Sequence, residues 1–318
     1  MAKIPFTLCS IFGLFSSLFA WENEYDLRAL WLEKDPAQKE ILQKHMQTLS
    51  DQTLKAEFET FNANPKVQTK NQLLRFYDQC LERLLQQIPQ EKPVPGTIVI
   101  WYLYNMGFVI KTPTVCFGVD IHHRNAEKLE PMLDFLVTTH NHMDHYSMPL
   151  MRAMNAAGKP VVSNFFPNPY YTKAAEKTHE IKGITIHCGE ADHNQRLRKF
   201  TMPMEIICPT GDKKFVFFTS GDCGDHTFLK AKSKEVDLYS VHPRCGMSAI
   251  DAAKQVNAKL TFIVHLYELS HEFNKWRWKF QDGKDEVEIF KKDSYKAYVP
   301  VWGEKFIWDG IKTEGCQK

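Results

Sequence analysis

Apolar residues recur at helical spacing through the first third of the chain. One set follows steps of three and four and comprises Leu73, Tyr77, Leu81, Leu84 and Ile88. A second set upstream has similar spacing and comprises Ile41, Leu42, Met46 and Leu49. Such spacing places each set on one face of a helix. The pattern predicts a helical N-terminal extension over residues 21–92, which packs on the main domain or instead serves as a partner or substrate lid.

The pattern changes at Pro93-Val94-Pro95-Gly96, because paired prolines and a glycine end helices. Short apolar runs rich in β-branched and aromatic residues follow. They predict strands at 97–104, 108–110, 115–119, 133–137, 161–163, 183–188, 214–219 and 260–264. Helical patterns separate some of these runs, at 126–133, 148–157 and 248–255. Strands followed by mixed β and α units predict an α/β fold with two β-sheets covered by helices.

The first twenty residues differ from the rest of the chain. Lys3 supplies an early positive charge, and residues 4–20 are uncharged and rich in Phe, Leu and Ser. A short basic start, an apolar centre and a small residue, Ala20, near the exit are typical of a secretory signal peptide. The segment 1–20 therefore predicts a secreted or periplasmic protein. Two alternatives stay open: an uncleaved membrane anchor, and a buried N-terminal helix of a cytoplasmic protein.

Composition narrows the classes of function. The 318 residues include 40 basic and 38 acidic side chains, so the net charge of +2 gives no strong field for nucleic acid or anionic lipid. A mean hydropathy of −0.38 excludes a polytopic membrane protein. The eight cysteines form no Cys-x-x-Cys pair, which argues against a zinc knuckle or a thioredoxin-like site. The expected partner is a small-molecule substrate, with membrane contact only through an uncleaved N-terminal segment.

The candidate chemistry lies in Thr138-Thr139-His140-Asn141-His142-Met143-Asp144-His145, directly after the apolar run 133–137. Four metal-competent side chains fall within six positions, and imidazole suits zinc and iron while carboxylate adds manganese. His140 and His142 would share a face in extended chain, because side chains alternate. Adjacent Asp144 and His145 would point apart unless the chain turns. The simplest arrangement has His140 and His142 bind one metal, and Asp144 and His145 bind a second.

The motif His-x-His-x-Asp-His after a strand resembles the signature of the metallo-β-lactamase fold hydrolases. Three later positions fit that family's order: His193, then Asp222 after the apolar run 214–219, then His265 after 260–264. The resemblance implies an αββα sandwich over residues 97–310. It also implies a first metal held by His140, His142 and His193, and a second held by Asp144, His145 and His265. Asp222 would bridge the two metals together with a water or hydroxide.

The resemblance implies a dinuclear metal-dependent hydrolase with two divalent ions, zinc first and manganese or iron as alternatives. Asn141-His142, the segment 103–108, Thr219-Ser220-Gly221-Asp222 and the late His265 look most like the branch that includes ascorbate 6-phosphate lactonase and phospholipase D-type phosphodiesterases. A phosphodiester or a lactone is the expected substrate class. Asp144 and His271 are the expected catalytic residues, and His271 is placed to protonate the leaving group.

Two other functions are compatible with the same motifs. One is an oxidoreductase on this fold, either a mononuclear iron dioxygenase or a diiron flavoprotein. The diiron flavoproteins usually carry Glu where this chain has His142, which argues against them. The other is a non-catalytic metal-binding protein. The presence of all seven expected ligands argues against decay of the site.

Several further residues are candidates for supporting roles. Asp120 is expected to orient a histidine ligand, and Glu190 or Asp192 to orient His193. His122 and His123 are expected in an exposed turn or, alternatively, at the cleft edge. His187 is expected to pack in the core.

A second group of candidates concerns substrate contact. His226 and His242 are near the site in sequence, and Arg244 suits an anionic group. The segment 275–279 alternates basic and aromatic residues, which predicts a strand with aromatics inward or, alternatively, a surface that stacks on a base or sugar.

Overall fold

The computed structural model describes residues 36–173, 176–273, 275–309 and 313–314. The expected signal peptide, 1–20, lies outside the described residues, and so does the start of the helical extension, 21–35. Within the described part of the chain, no helix is both long and apolar enough to cross a bilayer. The six cysteines in that part are all free thiols.

The N-terminal region is helical from residue 36 onward, as its periodicity predicted. Its three helices are α1 Pro36–Gln52, α2 Lys55–Ala63 and α3 Gln72–Gln90. The side chain of Asn71 caps α3 by accepting hydrogen bonds from the backbone N–H groups of Leu73 and Leu74. The apolar face of α3 is buried in one hydrophobic core that continues into the β-sheets. The helices are therefore packed on the main domain.

The first β-sheet has seven strands in the order β14-β13-β1-β2-β3-β4-β5, numbered along the chain. Their bounds are β1 Ile98–Tyr102, β2 Phe108–Lys111, β3 Cys116–Val119, β4 Phe135–Val137, β5 Val161–Val162, β13 Lys305–Trp308 and β14 Thr313–Glu314. Strands β3, β4 and β5 run parallel to one another. Their carboxyl ends consequently lie at the same edge of the sheet.

The second sheet also has seven strands, in the order β12-β11-β10-β9-β8-β7-β6. Their bounds are β6 Lys177–Ile181, β7 Ile184–Cys188, β8 Met204–Thr210, β9 Lys213–Thr219, β10 Leu238–Val241, β11 Thr261–Ile263 and β12 Ala297–Tyr298. Strands β9 to β12 are parallel neighbours, while β6 to β9 pair in antiparallel fashion. The parallel part again gathers several strand ends at one edge.

The two sheets pack through their apolar faces. The ring of Phe108 lies 5.4 Å from that of Phe217 and 6.3 Å from that of Phe262, measured between centroids. Helix α4 (Met148–Ala156) packs on the first sheet, and α6 (Phe280–Lys292) on the second, while α5 (Ala249–Gln255) precedes β11. The predicted helix at 126–133 is a 3₁₀ helix, Ala126–Met132. The αββα sandwich is confirmed.

His122 and His123 are not in an exposed turn. Both are buried beneath the N-terminal helices, because α3 covers them. The ring of His123 stacks on Tyr77 at 4.1 Å between centroids, and His123 Nε2 lies 3.1 Å from the carbonyl oxygen of Tyr77. His123 Nδ1 accepts the backbone N–H of Asn125. One nitrogen donates and the other accepts, which requires the neutral imidazole.

Acidification is expected to destabilise the protein through His123. Burial lowers the pKa of His123 from 6.5 to about 3, so the unfolded chain binds a proton at higher pH than the native state. Stability from this residue is complete above pH 6.5 and is lost as the pH falls toward 3. Between pH 7 and pH 5 the loss is about 2 kcal/mol.

Urea unfolding at the two pH values, on wild type and on a His123→Phe variant, measures this effect. The variant should show a smaller decrease in unfolding free energy, by about 2 kcal/mol. An equal decrease in both proteins would contradict the role of His123.

Candidate metal centre

The candidate site lies where parallel strands end. His140 follows β4, Asp222 follows β9 and His265 follows β11. In open parallel sheets, functional side chains gather beyond the carboxyl ends of the strands. Here the two sheets each contribute such an edge, and the side chains of both meet in one cluster.

A first group of donors combines His140, His142, His193 and Asp222, whose potential ligand atoms all lie within 4.8 Å of one another. His140 Nε2 is 3.1 Å from His142 Nδ1. Asp222 Oδ2 is 3.7 Å from His140 Nε2 and 3.6 Å from His193 Nε2. His142 and His193 keep an exposed edge, so this group faces the open side of the cleft.

A second group combines Asp144, His145 and His265, within the same 4.8 Å limit. His265 Nε2 lies 3.1 Å from Asp144 Oδ2, and His145 Nε2 lies 3.7 Å from the same oxygen. Asp222 reaches this group as well, with Oδ1 3.3 Å from His145 Nε2 and Oδ2 3.7 Å from His265 Nε2. The structure thus brings all seven expected ligands together, with Asp222 between two groups. Their binding of metal stays a prediction.

The backbone around these donors adopts left-handed conformations that favour glycine. Asp120 has φ +45° and His265 has φ +61°. At Gly221 (φ +50°) an added Cβ would lie 2.8 Å from the Thr139 side chain, so glycine is required there. Strained backbone of this kind persists where the surrounding structure fixes it, and it concentrates at functional sites.

Asp120 fixes the orientation of two histidines. Its fully buried carboxylate accepts hydrogen bonds from Thr139 N and Thr139 Oγ1, each at 2.7 Å, and from His145 Nδ1 at 3.0 Å. Because Thr139 Oγ1 donates to Asp120, it can accept from His140 Nδ1, which lies 3.0 Å away. Both imidazoles then carry a proton on Nδ1, which leaves Nε2 facing the cluster as the atom available to a metal ion. The expected orienting role of Asp120 is consistent with this geometry.

Asn105 contributes to the site although its sequence context did not mark it as a site residue. Its Nδ2 donates to the backbone carbonyl of Asp144 at 2.9 Å and to Asp144 Oδ2 at 3.1 Å. Its backbone carbonyl oxygen accepts the backbone N–H of His265 at 3.1 Å. One buried residue therefore contacts two members of the second group, Asp144 through its side chain and His265 through its backbone. The only signal in sequence was its position in the segment 103–108.

Burial keeps part of the cluster in the form that binds metal. Burial and then the nearby His145 hold the pKa of His140 well below its usual value. Burial and then His193 lower the pKa of His142. Neutral imidazole is the metal-binding state, so these two histidines need no deprotonation at neutral pH.

Opposite charges keep the two aspartates ionised. Burial alone would raise the pKa of Asp144 and of Asp222, but the positive charges of His145 and His265 hold both values well below the usual range. Burial would likewise lower the pKa of His145 and His265, and the same carboxylates raise both instead. A metal ion would replace these protons, so binding is expected to release them and to weaken in acid.

The donor set fits bound cations. His145 Nε2, His265 Nε2 and Asp222 Oδ1 are buried, and among the described residues none of them has a hydrogen-bond partner. Unpaired buried polar atoms are costly unless a water or an ion satisfies them. Five histidines and two carboxylates aimed at one space supply the nitrogen and oxygen ligands that divalent transition metals prefer.

His242 also belongs to the site. Its ring stacks on that of His265 with centroids 3.9 Å apart, and its Nδ1 accepts the backbone N–H of Arg244. Together with Asp222 and Cys245 it forms a third group of close potential ligands. Sequence reasoning placed His242 near the substrate but missed Cys245, whose thiol donates to the carbonyl of Asp222 at 2.9 Å.

His271 lies at the edge of the second group. Its Nδ1 is 3.1 Å from Glu268 Oε2, and its ring centroid is 5.9 Å from that of His265. Glu268 is fully buried and also accepts hydrogen bonds from Tyr104 and Ser270. Asp144, Glu268 and His271 form a further close group. The expected general acid is therefore next to the cluster, with a carboxylate behind it.

Other expectations about this region are corrected by the structure. Glu190 pairs with Lys199, and Asp192 accepts the backbone N–H of Lys199, so neither orients His193. Asn194 contacts His193 Nδ1 instead, at 3.2 Å. His187 is half-buried rather than in the core, because its Nδ1 bonds to Thr178 Oγ1 near the sheet surface. His226 stands in a 3₁₀ turn and joins none of the close groups among the described residues.

Arg244 is engaged by carboxylates rather than open to an anion. Its guanidinium lies 3.6 Å from Asp282 and 3.5 Å from Glu286, both on α6. The segment 275–279 is not a strand. Lys275 and Lys279 are exposed and Trp278 packs partly on the core, as expected, but Trp276 and Arg277 show the reverse of the expected burial. Trp276 is 61% exposed whereas Arg277 is 5% exposed. Arg277 is buried because its guanidinium donates hydrogen bonds to buried backbone carbonyls, including those of Ser50 and Leu269.

No protein-family model matches the sequence, and no curated protein sequence does. Among solved structures, a metallo hydrolase from the hyperthermophilic archaeon Ignicoccus hospitalis matches with a TM-score of 0.50 and 16% identity, over 66% of this chain and 98% of that one. CmlA, a diiron β-hydroxylase from Streptomyces venezuelae, matches with a TM-score of 0.48 and 10% identity, over 66% of this chain and 53% of that one.

The metallo-β-lactamase fold protein YhfI from Bacillus subtilis matches with a TM-score of 0.45 and 14% identity, over 66% of this chain and 99% of that one. This chain spans about half the length of CmlA and nearly all of the other two. At such low identity the likeness concerns the fold alone. The chain has the αββα sandwich of the metallo-β-lactamase type.

Proposed function

We propose that this protein is a dinuclear metal-dependent hydrolase that cleaves a phosphodiester or a lactone. One observation carries the proposal: two groups of histidine and aspartate side chains converge on a shared Asp222. A purely structural cluster would pair its polar atoms in hydrogen bonds, whereas three buried atoms here make ion-pair contacts but no hydrogen bond among the described residues. In the proposed site, His140, His142 and His193 would bind one ion, and Asp144, His145 and His265 would bind the other.

When bound, two divalent ions would supply a hydroxide at neutral pH and positive charge beside the oxygen that becomes negative during attack. The three imidazoles of the first group are uncharged as ligands and leave that positive charge largely intact. The carboxylates of Asp144 and Asp222 would reduce the net positive charge at the second ion. As a ligand shared by both groups, Asp222 would also hold the two groups together. Asp120 and Asn105 hold these donors so that their ligand atoms are aligned before substrate binds.

His271 is proposed to protonate the leaving oxygen. When the bond from phosphorus or carbonyl carbon to that oxygen breaks, the oxygen takes the electron pair and the proton from His271. Glu268, 3.1 Å from His271 Nδ1, keeps the proton-bearing nitrogen pointed into the cleft and balances the charge on the ring. His271 keeps a partly exposed edge, so a substrate can reach it.

Removal of metal is expected to abolish hydrolysis reversibly. Purified protein should contain about two equivalents of a divalent ion, with zinc the leading choice. A chelator should reduce the turnover of phosphodiester or lactone substrates by on the order of 1000-fold or more, and zinc or manganese should restore it. Elemental analysis beside a screen of phosphodiester, lactone and thioester substrates measures both.

Other outcomes identify the competing functions. One equivalent of iron together with oxygen consumption, and no hydrolysis, would indicate the dioxygenase. Two tightly bound ions without any turnover of the substrate panel would indicate a metal-binding protein. If the protein takes up no metal under any condition, the cluster is not a metal site and the proposed function is refuted.

A further inference from the structure

Arg277 is a buried side chain that the hydrolytic chemistry does not use directly. Its guanidinium donates five hydrogen bonds to four backbone carbonyls. Nη1 donates to Ser50 at 2.8 Å and to Thr53 at 2.7 Å. Nη2 donates to Leu269 at 2.9 Å and to His271 at 2.7 Å, and Nε donates to His271 at 3.1 Å. The five donors of the side chain are thus directed to two separate segments of the chain.

The first segment is the carboxyl end of α1. The last carbonyls of a helix have no partner within the helix and carry the negative end of its dipole. Arg277 satisfies those of Ser50 and Thr53 with a charged donor. The helical extension is therefore tied to the main domain at this point, 224 positions away along the chain from Thr53.

The second segment carries the proposed proton donor. Leu269 N donates to Tyr104 Oη at 2.7 Å, and Ser270 N donates to Glu268 Oε1 at 2.9 Å. Arg277 holds the carbonyls of the same stretch from the opposite side, including that of His271 itself. These bonds hold the backbone from Leu269 to His271, and with it the position of the backbone that carries the imidazole of His271.

We propose that Arg277 is a positioning residue, which uses the end of helix α1 as an anchor to hold the His271 loop against the metal groups. The proposal rests on the hydrolytic function and on His271 as proton donor. The N-terminal helices then have a role in turnover, because the end of α1 anchors the loop that carries His271. Without the clamp, His271 stays in the protein but samples other positions, and proton donation to the leaving oxygen fails.

The chain offers a matched control. Arg124 is also buried, and its Nη1 donates to the carbonyls of Phe61, Asn64 and Val67 at the end of α2. It ties the second helix to the main domain as Arg277 ties the first. Its hydrogen bonds among the described residues go to Asp78 of α3 and to the end of α2, and none goes to the loop 268–273. Replacing Arg124 therefore weakens the attachment of the helices but keeps the clamp, that is, the hydrogen bonds from Arg277 to the carbonyls of Leu269 and His271.

The kinetic test compares Arg277→Met, Arg277→Lys and Arg124→Met on two phosphodiesters. Diphenyl phosphate releases phenolate, a poor leaving group that needs a proton. Bis(4-nitrophenyl) phosphate releases 4-nitrophenolate, a good leaving group that departs without one. Arg277→Met should lose at least about tenfold in kcat on the phenyl ester and less than about threefold on the nitrophenyl ester. Arg277→Lys should recover part of this loss. Arg124→Met should change both substrates by the same factor, and metal content should be unchanged throughout.

Amide hydrogen exchange tests the clamp without any substrate. Arg277→Met should speed exchange at residues 269–271 as well as at 50–53, whereas Arg124→Met should speed it only around 61–67. If Arg277→Met does not fold, Arg277→Lys provides the same comparison. Unchanged exchange at 269–271, or equal kinetic losses on the two esters, would overturn the clamp. If the wild type cleaves neither these esters nor any lactone of the substrate screen but exchange follows the expectation, the clamp stands and the hydrolytic function fails.

Discussion

Replacing Asp222 with alanine is expected to reduce hydrolysis by on the order of 1000-fold or more, with loss of at least one metal ion per chain. The carboxylate lies within 3.7 Å of histidines from both groups. Without it, the two groups share no ligand, and His145 and His265 lose a negative neighbour. Elemental analysis and kcat on the preferred substrate measure the two effects.

Asp212→Ala is the matched control for this variant. Asp212 is exposed in the turn before β9, at the opposite end of the same strand that leads to Asp222. Its removal changes the net charge equally and leaves the cleft untouched, so activity and metal content should equal those of wild type. An Asp222→Ala protein that binds two ions and retains more than about a tenth of wild-type kcat is incompatible with a shared ligand.

The candidate metal ligands were predicted from the resemblance of their motifs to those of the metallo-β-lactamase fold hydrolases. The structure brings them together because several of them follow parallel strands, whose ends lie at a common edge. His140 after β4, Asp222 after β9 and His265 after β11 all obey this rule. The two sheets and the first helices were predictable for a similar reason, since period-two and helical patterns are local properties of the chain.

The supporting residues could not be predicted, because their roles depend on contacts between distant segments. Asn105 contacts Asp144 across 39 positions, and Arg277 contacts Ser50 across 227. No local pattern separates a buried arginine from an exposed one, so the predicted burial of Trp276 and Arg277 was wrong. His122 and His123 were misplaced likewise, because helix α3 covers them only in the folded chain.

Several elements were missed where the sequence pattern is mixed. Helix α6 contains Gly283 and many charges, and its apolar face is narrow. Glycine weakens a helix in isolation, yet an added Cβ at Gly283 would lie 2.7 Å from Leu266, so the packing with β11 and β12 requires it. The strands that were missed are β6, β8, β10, β12, β13 and β14. Tertiary packing rather than intrinsic preference stabilises such elements.

Replacing Asp120 with alanine is expected to lower the free energy of unfolding by about 3–5 kcal/mol and to weaken binding of both metals. Alanine leaves the backbone N–H of Thr139 without its acceptor and removes the partner of His145 Nδ1. The relay through Thr139 Oγ1 to His140 is lost at the same time. Because His140 and His145 belong to different groups, each site should lose about 10- to 100-fold in affinity.

Asp120→Asn and Asp134→Ala separate the causes. Asparagine tolerates the left-handed backbone at position 120 and keeps one acceptor, so it should lose less stability but still disturb the histidine tautomers. Asp134 precedes the same strand β4 and accepts the backbone N–H of Cys116, at the end remote from the cluster. Its loss should cost about 1–2 kcal/mol and leave metal affinity unchanged. Urea unfolding of metal-free protein and competitive metal titration measure the two quantities. If Asp120→Ala weakens only one of the two sites, the carboxylate does not act through both His140 and His145.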